Sequence, residues 1–228
     1  MSVGSHSQVS FIMFSTKEIT EILQNLDHNK AIGPDGLSGR ILKECAEALA
    51  PSLRLLFDKS IEQGKLPSQW KEANVTPIHK KGARESIENY RPVSLLCIVS
   101  KVMERVILNH MYPTLKNSLY ALQHGFLKGK SCSTQMVEFI HSLGEALDNR
   151  NQVDVLYLDF SKAFDSVPHH LLVHKLRKFG INGKLHAWLS NYLTDRKQRV
   201  QVEGSDSDWL PVISSVPQGS ILGSFLFL

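Results

Sequence analysis

The sequence predicts an α+β fold, because helical and strand patterns occur along the chain without regular βαβ alternation. Hydrophobic residues make up 42% and charged residues 21% of the composition, which is typical of a globular protein and not of a disordered one. With 228 residues the chain can bury a substantial core, as one large domain or as two small ones. Element boundaries expected from such patterns carry an error of several residues.

Helices are indicated wherever apolar residues recur with a period near 3.6. The first has a capping box, Ser15 with Glu18, and the second has Pro51 as its candidate break. In chain order, the predicted helices cover residues 15–30, 41–61, 95–108, 135–147, 168–180 and 184–193.

Strands are predicted in three places. Residues 73–96 indicate a strand, a basic turn and then a second strand or a helix start. Residues 199–204 alternate apolar and polar side chains, which favours a strand. The third strand, Val153–Phe160, is an apolar run that carries the carboxylate of Asp159 near its end, and Asp165 follows in the next turn.

Asp159 is the strongest candidate for a chemical role. By the two-residue period of a strand, it shares one face with Val153, Val155 and Tyr157. A buried charge is costly unless it is paired or binds a metal, so a carboxylate at the end of an apolar strand is a candidate metal ligand. For an isolated aspartate of this kind, the favoured interpretation is that it only caps the turn that follows, and it is the surrounding motifs that favour the metal.

Charge, cysteine content and the length of apolar runs indicate which partners and which cellular compartment to expect. A net charge of +4 and an isoelectric point near 8.9 are compatible with nucleic-acid binding, although many basic proteins bind none. The three cysteines are widely spaced, which favours a reducing compartment and no structural zinc. The N-terminus lacks a basic signal-peptide region, and no apolar run reaches the roughly 20 residues of a membrane helix. We expect an intracellular protein of the nucleus or cytoplasm, without a membrane partner.

A series of motifs resembles the conserved blocks of reverse transcriptases from non-LTR (LINE-type, jockey-like) retrotransposons, in the same order and with the same spacing. The resemblance extends over nearly all of the chain after residue 15. The blocks are KAIGPDGL (30–37), TPIHKKG (76–82), NYRPVSLL (89–96), QHGFLKGKSCSTQ (123–135), LDFSKAFDSVPH (158–169), WLSNYLTDRKQRVQV (188–202) and SVPQGSILG (215–223).

The resemblance implies the fingers and a partial palm of a right-hand polymerase. Residues 1–14 would be a tail or a cut edge, residues 15–150 the fingers region and residues 151–228 the partial palm. The implied activity is RNA-directed DNA synthesis: a primer 3′-OH attacks the α-phosphate of a dNTP, and pyrophosphate leaves. The implied partners are an RNA template, a DNA primer and dNTPs.

The family's metal and nucleotide contacts can be carried onto matching positions. The resemblance implies that Asp159 and the backbone carbonyl of Phe160 bind Mg²⁺ or Mn²⁺, and that Phe164 excludes the 2′-OH of a ribonucleotide. By the same resemblance, Lys80 and Arg91 hold the triphosphate, as a point charge and a bidentate fork respectively. Without it, Phe164 would be a core aromatic and the two cations would be solvated surface charges.

The remaining implied contacts are to template and nucleotide. Gln218 and Gly219 would touch the incoming nucleotide and the template backbone, although VPQGS alone is compatible with a plain turn. Basic residues would contact template phosphates without sequence preference, and a solvated face is the alternative for each of them. These residues are Lys128, Lys130, Arg196, Lys197 and Arg199.

The sequence also departs from the family pattern. It stops at Leu228, before the Tyr-x-Asp-Asp block that supplies the family's other catalytic aspartates, so we expect this fragment to be inactive by itself. Leu127, Ser215 and Ser224 replace the usual Arg, Gly and Pro. Two alternatives to catalysis therefore stay open: a remnant that binds RNA or template–primer without polymerising, and an unstable product of a decayed element.

Overall fold

The computed structural model describes residues 8–161 and 163–228, in which helices surround one mixed sheet. This arrangement confirms the α+β prediction. The helices are α1 Thr16–Gln24, α2 Gly39–Glu44, α3 Ala46–Gln63, α4 Ile98–Leu115, α5 Cys132–Asp148, α6 His169–Lys178, α7 Gly183–Leu193 and α8 Ile221–Phe227. The strands are β1 Glu72–His79, β2 Tyr90–Leu95, β3 Arg196–Val202, β4 Ser205–Asp206 and β5 Leu210–Val212. None of these helices is both long and apolar enough to cross a membrane.

Strand β1 lies in the middle of the sheet, whose order is β2-β1-β3-β4, with β5 also paired to β3. Residues 73–96 contain the expected strand and turn, and of the two alternatives for the next element the second strand is the one that forms: β1 and β2 are antiparallel, from Asn74 opposite Leu95 to His79 opposite Tyr90. On its other edge β1 pairs in parallel with β3, where Glu72 lies opposite Lys197. The sheet therefore joins two segments that are distant in the sequence.

The core lies between α1, α3, α4 and α7, whose apolar faces meet. Phe57 and Trp188 are fully buried there. The indole N–H of Trp188 donates to Ser60 Oγ at 2.8 Å, and that hydroxyl donates to the Lys65 carbonyl at 2.6 Å. Ser60 thereby joins α3 to α7 without leaving a buried donor unpaired.

The N-terminal segment differs from its prediction. Residues 1–7 of the expected tail lie outside the described residues, but residues 8–14 pack on the body: Val9 N–H donates to Gly180 O at 3.0 Å, and Ile12 and Phe14 are buried. The predicted capping box of Ser15 and Glu18 is wrong, because the Ser15 side chain makes no capping hydrogen bond to the start of α1. Glu18 instead accepts a hydrogen bond from Asn109 on α4.

The break in the second predicted helix lies at Cys45 and not at Pro51. Cys45 ends α2 and precedes α3, whereas Pro51 lies inside α3. A proline removes one backbone hydrogen bond from a helix. The buried Ala50 and Phe57 keep this stretch of α3 packed in the core on both sides of the proline.

The predicted strand Val153–Phe160 is wrong: residues 151–160 have no regular secondary structure. Their side chains are exposed, with Leu156 82% and Leu158 85% accessible. An apolar run becomes a strand only where a neighbouring backbone completes its hydrogen bonds, and no described strand pairs with this one. The segment thus crosses the surface as an exposed apolar stretch.

Candidate active site

A cleft of about 1050 Å³ lies between the β1–β2 hairpin and the chain around residue 160. Residues from four separate parts of the sequence line it, and they include most of the predicted contacts to metal and nucleotide. The predicted residues in the cleft are Lys80, Arg91, Asp159, Phe160, Phe164 and Gln218.

The two cations of the cleft share one face of the hairpin. Arg91 is paired with Ile78, and Lys80 follows Ile78 by two residues, so the alternation of side chains places Lys80 and Arg91 on the same side. The Lys80 N–H donates to the Asn89 carbonyl at 2.8 Å, which continues the pairing beyond His79. Both side chains are exposed toward the cleft, where they can reach an anion.

Three carboxylates line the cleft together with these cations. Asp159, Asp165 and Glu88 all line it, and Asp159 makes no ion pair with any residue that the structure describes. No group of three or more histidine, cysteine or acidic side chains is close enough to enclose a metal ion within residues 8–161 and 163–228. The cleft thus combines the cations of the hairpin with Asp159 and Asp165 from the chain around residue 160, while Glu88 belongs to the hairpin itself.

The backbone and ring of Phe164 are fixed from two sides. Its carbonyl accepts the Val216 N–H at 3.2 Å, which holds it close to the Gln218 turn. Its ring stacks on Phe227 at 4.7 Å between centroids and meets the edge of Phe126 at 5.8 Å. One part of the ring is therefore packed against the core while the residue still lines the cleft.

The turn that carries Gln218 docks against β2. The Ser94 N–H donates to the Gln218 carbonyl at 2.8 Å. Gly219 has a φ of 124°, and a Cβ there would lie 2.4 Å from the Ser94 carbonyl oxygen, so glycine is required. Gly219 lines not the cleft but an adjacent groove of about 620 Å³, together with Lys101 and Arg105.

The predicted phosphate contacts are placed in different environments. Arg196 is only 3% exposed and donates to the Tyr192 and Trp70 carbonyls, so it cannot reach a bound strand without leaving the core. Arg199 is partly buried, donates to Asn74 and pairs with Asp206 at 2.8 Å. These two arginines have structural partners within the sheet region.

The lysines of the same prediction are more accessible. Lys197 is exposed and lines a second cleft of about 320 Å³, which shares Pro92, Asp165 and Gln218 with the first. Lys128 is exposed on the loop that presents Phe126 to Phe164, whereas the Lys130 ammonium donates to the Ala121 carbonyl at 2.7 Å. Lys128 and Lys197 remain available to a polyanion.

A family model described as reverse transcriptase (RNA-dependent DNA polymerase) matches residues 78–228, which include every predicted site residue. The chain belongs to the reverse transcriptase family.

Relatives of this reverse transcriptase chain include proteins of Drosophila melanogaster mobile elements. It is 32% identical to the RNA-directed DNA polymerase of the mobile element jockey, over 92% of this chain and 23% of that protein. It is 33% identical to the polymerase ascribed to transposon BS and 30% identical to that ascribed to the X-element, over 92% and 94% of this chain and 24% of each relative. The expected non-LTR relationship is confirmed, and the chain spans about a quarter of the length of these relatives.

Sequence reasoning missed several residues of the cleft. Glu88 and Tyr90 line it, and so does Asp165, to which the sequence assigns no role. Tyr90 directly precedes Arg91 in the block NYRPVSLL, and this position could have identified it as a residue of the cleft. Glu88 lies in the hairpin loop, where the sequence gives no indication of which way a side chain points.

Proposed function

We propose that the cleft is the nucleotide site of an RNA-directed DNA polymerase, with an RNA template and a DNA primer as its nucleic-acid partners. The observation that carries the proposal is the convergence of Lys80, Arg91, Asp159 and Gln218 in one cleft, although they lie in separate parts of the chain. Since the chain is about a quarter of its relatives' length, the complete activity remains a proposal for this chain.

The acceptors of the cleft suit a divalent cation of the magnesium class. The Asp159 carboxylate and the Phe160 carbonyl are hard oxygen donors, and Mg²⁺ takes few protein ligands because it retains waters and substrate phosphates. When bound, such an ion lowers the pKa of an attacking hydroxyl and stabilises charge that develops on phosphate oxygens. Asp159, unpaired among the described residues, is the group that would hold it.

The opposite wall would bind the triphosphate of a dNTP. Arg91 offers a bidentate fork and Lys80 a mobile point charge, and both are exposed on one side of the hairpin. Phe164, clamped by Phe126 and Phe227, would set how close a sugar can come to the cleft floor. A rigid ring at this position favours the smaller deoxyribose over ribose by contact alone.

The template would follow the accessible cations. We place Lys197 and Lys128 on its path, because they are exposed beside the cleft region, and we omit Arg196, which is buried. Arg199 and Lys130 already have protein partners and would contribute less. Contacts of lysine to phosphate make binding salt-dependent and independent of sequence.

Primer extension with an RNA template, an annealed DNA primer, dNTPs and Mg²⁺ tests the proposal. Asp159→Asn removes the charge of the proposed metal ligand without changing the side-chain shape, so any extension that the unmodified chain supports should disappear. Asp154→Asn is the matched control, since Asp154 is an exposed aspartate of the same segment that does not line the cleft. Where the unmodified chain extends the primer, extension by Asp159→Asn equal to that by Asp154→Asn would overturn the assignment of Asp159.

A non-catalytic role in binding template–primer is the second candidate, favoured by the exposure of Lys197 in the second cleft and of Lys128 on the loop that carries Phe126. In that case no extension occurs with the unmodified chain, yet the same duplex binds with an affinity that falls steeply as salt rises. Lys128→Ala and Lys197→Ala would then weaken binding while Asp159→Asn would not.

A further inference from the structure

Glu104 is a fully buried carboxylate of α4, and its partners are at the start of α8, directly after the Gln218 turn. Its Oε2 accepts the backbone N–H groups of Ile221 and Leu222, at 2.8 and 3.1 Å. Ser100 Oγ lies 3.4 Å from Oε1. The first N–H groups of a helix have no partner within it, so Glu104 satisfies two donors that would otherwise be buried and unpaired at the start of α8.

The surroundings offset part of the cost of a charge at this position. Burial raises the pKa of Glu104, while the N–H groups of Leu222 and Ile221 and the charges of Arg196 and Lys101 oppose that shift. Burial also raises the pKa of the Tyr192 hydroxyl, which lies near Glu104. A carboxylate retained in the core with this set of partners acts as a fixed acceptor.

The turn before α8 is connected tightly to this helix start. Ser220 Oγ accepts the Gly223 N–H at 2.9 Å and donates to the Pro217 carbonyl at 2.8 Å. The Gln218 carbonyl accepts the Ser94 N–H on the opposite side. The turn is thus attached to β2 through Ser94 and to α4 through Glu104, and β2 leads almost directly into α4.

We propose that Glu104 is a positioning residue, which holds the start of α8 so that Gln218 stays in the cleft against β2. The inference deepens the proposed function, on which its nucleotide-binding part rests. Glu104 does not line the cleft and would touch no substrate. It would act through Ile221 and Leu222 on the turn that presents Gln218.

The test compares Glu104→Ala, which removes the acceptor, with Glu104→Gln, whose carbonyl oxygen can still accept both N–H groups. Leu226→Ala is the control, because Leu226 is a buried residue near the other end of the same helix, five residues after Ile221. One readout is amide hydrogen exchange at Ser94, whose N–H binds Gln218 and not Glu104. The other is the affinity for a fluorescent dNTP.

We expect Glu104→Ala to accelerate Ser94 exchange and to weaken dNTP binding by about tenfold each. Glu104→Gln should restore both the slow Ser94 exchange and the dNTP affinity. Leu226→Ala should change neither readout when it is compared with Glu104→Ala at an equal free energy of unfolding. Equal behaviour of Glu104→Ala and Leu226→Ala would overturn the proposal.

Ile221→Pro provides a second variant if Glu104→Ala does not fold. Proline is tolerated at the first helical position, and Ser220 already has the extended conformation (ψ 162°) that a following proline requires. The substitution deletes one N–H that Glu104 accepts, so Ser94 should again exchange faster, and unchanged exchange would refute the proposal. A complete lack of dNTP binding by the unmodified chain would reject the proposed function, whereas Ser94 exchange would still decide the role of Glu104.

Discussion

Substituting Gly219 by alanine should destabilise the protein strongly, because two separate costs meet at this position. The backbone φ of 124° is strained for any residue with a Cβ, at a cost of about 1–3 kcal/mol. The new Cβ would also lie 2.4 Å from the Ser94 carbonyl oxygen, so the turn must move away from β2. That movement weakens the bond from Ser94 N–H to Gln218 O, worth about 1 kcal/mol.

Together these terms predict a loss of about 2–4 kcal/mol in the free energy of unfolding. For a chain of this size each kcal/mol lowers the melting temperature by about 2–4 °C. Urea denaturation followed by circular dichroism measures the loss directly. The same variant should bind dNTP more weakly, since Gln218 moves with Gly219.

Two other glycines separate the contributions. Gly204→Ala changes a residue with φ of 80° and no atom within 4 Å of the new Cβ, so it isolates backbone strain at about 1–2 kcal/mol. Gly144→Ala, within α5 and also without close neighbours, should stabilise by about 1 kcal/mol through helix propensity. If Gly219→Ala costs no more than Gly204→Ala, the close packing of the turn on β2 is not what constrains this position.

Three further outcomes are expected. The free energy of unfolding of Glu104→Gln should rise relative to that of the unmodified protein as pH rises above the ordinary carboxyl pKa of 4.5. The reason is that a carboxyl with a raised pKa in the folded state contributes stability at low pH, which is lost as the group ionises. A difference in urea stability that is constant across pH would contradict this expectation. Ser60→Ala should cost about 1–3 kcal/mol, because it leaves the Trp188 N–H unpaired in the core and removes the bond to the Lys65 carbonyl, and thermal unfolding measures it. Leu156→Ser should leave stability within about 0.5 kcal/mol and reduce binding of an apolar dye, since Leu156 is 82% exposed; strong destabilisation would mean that this segment packs in solution.

Elements defined by local pattern were predictable from sequence. Strand β1 with the basic turn that follows it was predicted, although the next element was left open between a strand and a helix start, and α7 was predicted from apolar residues at helical spacing. Val153–Phe160 has a strand-like composition too, but whether an apolar run becomes a strand depends on a partner elsewhere, which its own residues do not encode.

Part of the lining of the candidate site was predicted from sequence, but the residues that hold this lining in place were not. Motif blocks assigned Lys80, Arg91 and Gln218, and the structure brings them into one cleft. The burial of Arg196 could not be predicted, because in the sequence it belongs to the same basic run as its exposed neighbour Lys197. Its burial depends on two backbone carbonyls that only the fold brings within reach of its guanidinium. Glu104 gave no signal at all, because an acid within a helix usually faces water.

The parallel pairing of β1 with β3 has a consequence for how the protein reaches its fold. Asn74 and Arg199, hydrogen-bonded across this pair, are 125 residues apart in the chain. The β1–β2 hairpin closes a short loop and can form within microseconds, whereas a contact of such long range forms only after a large loss of chain entropy. β1 should therefore acquire its two neighbours at different times. During synthesis its second edge stays open until β3 emerges, and this interval is when the nascent chain is most prone to pair with another molecule.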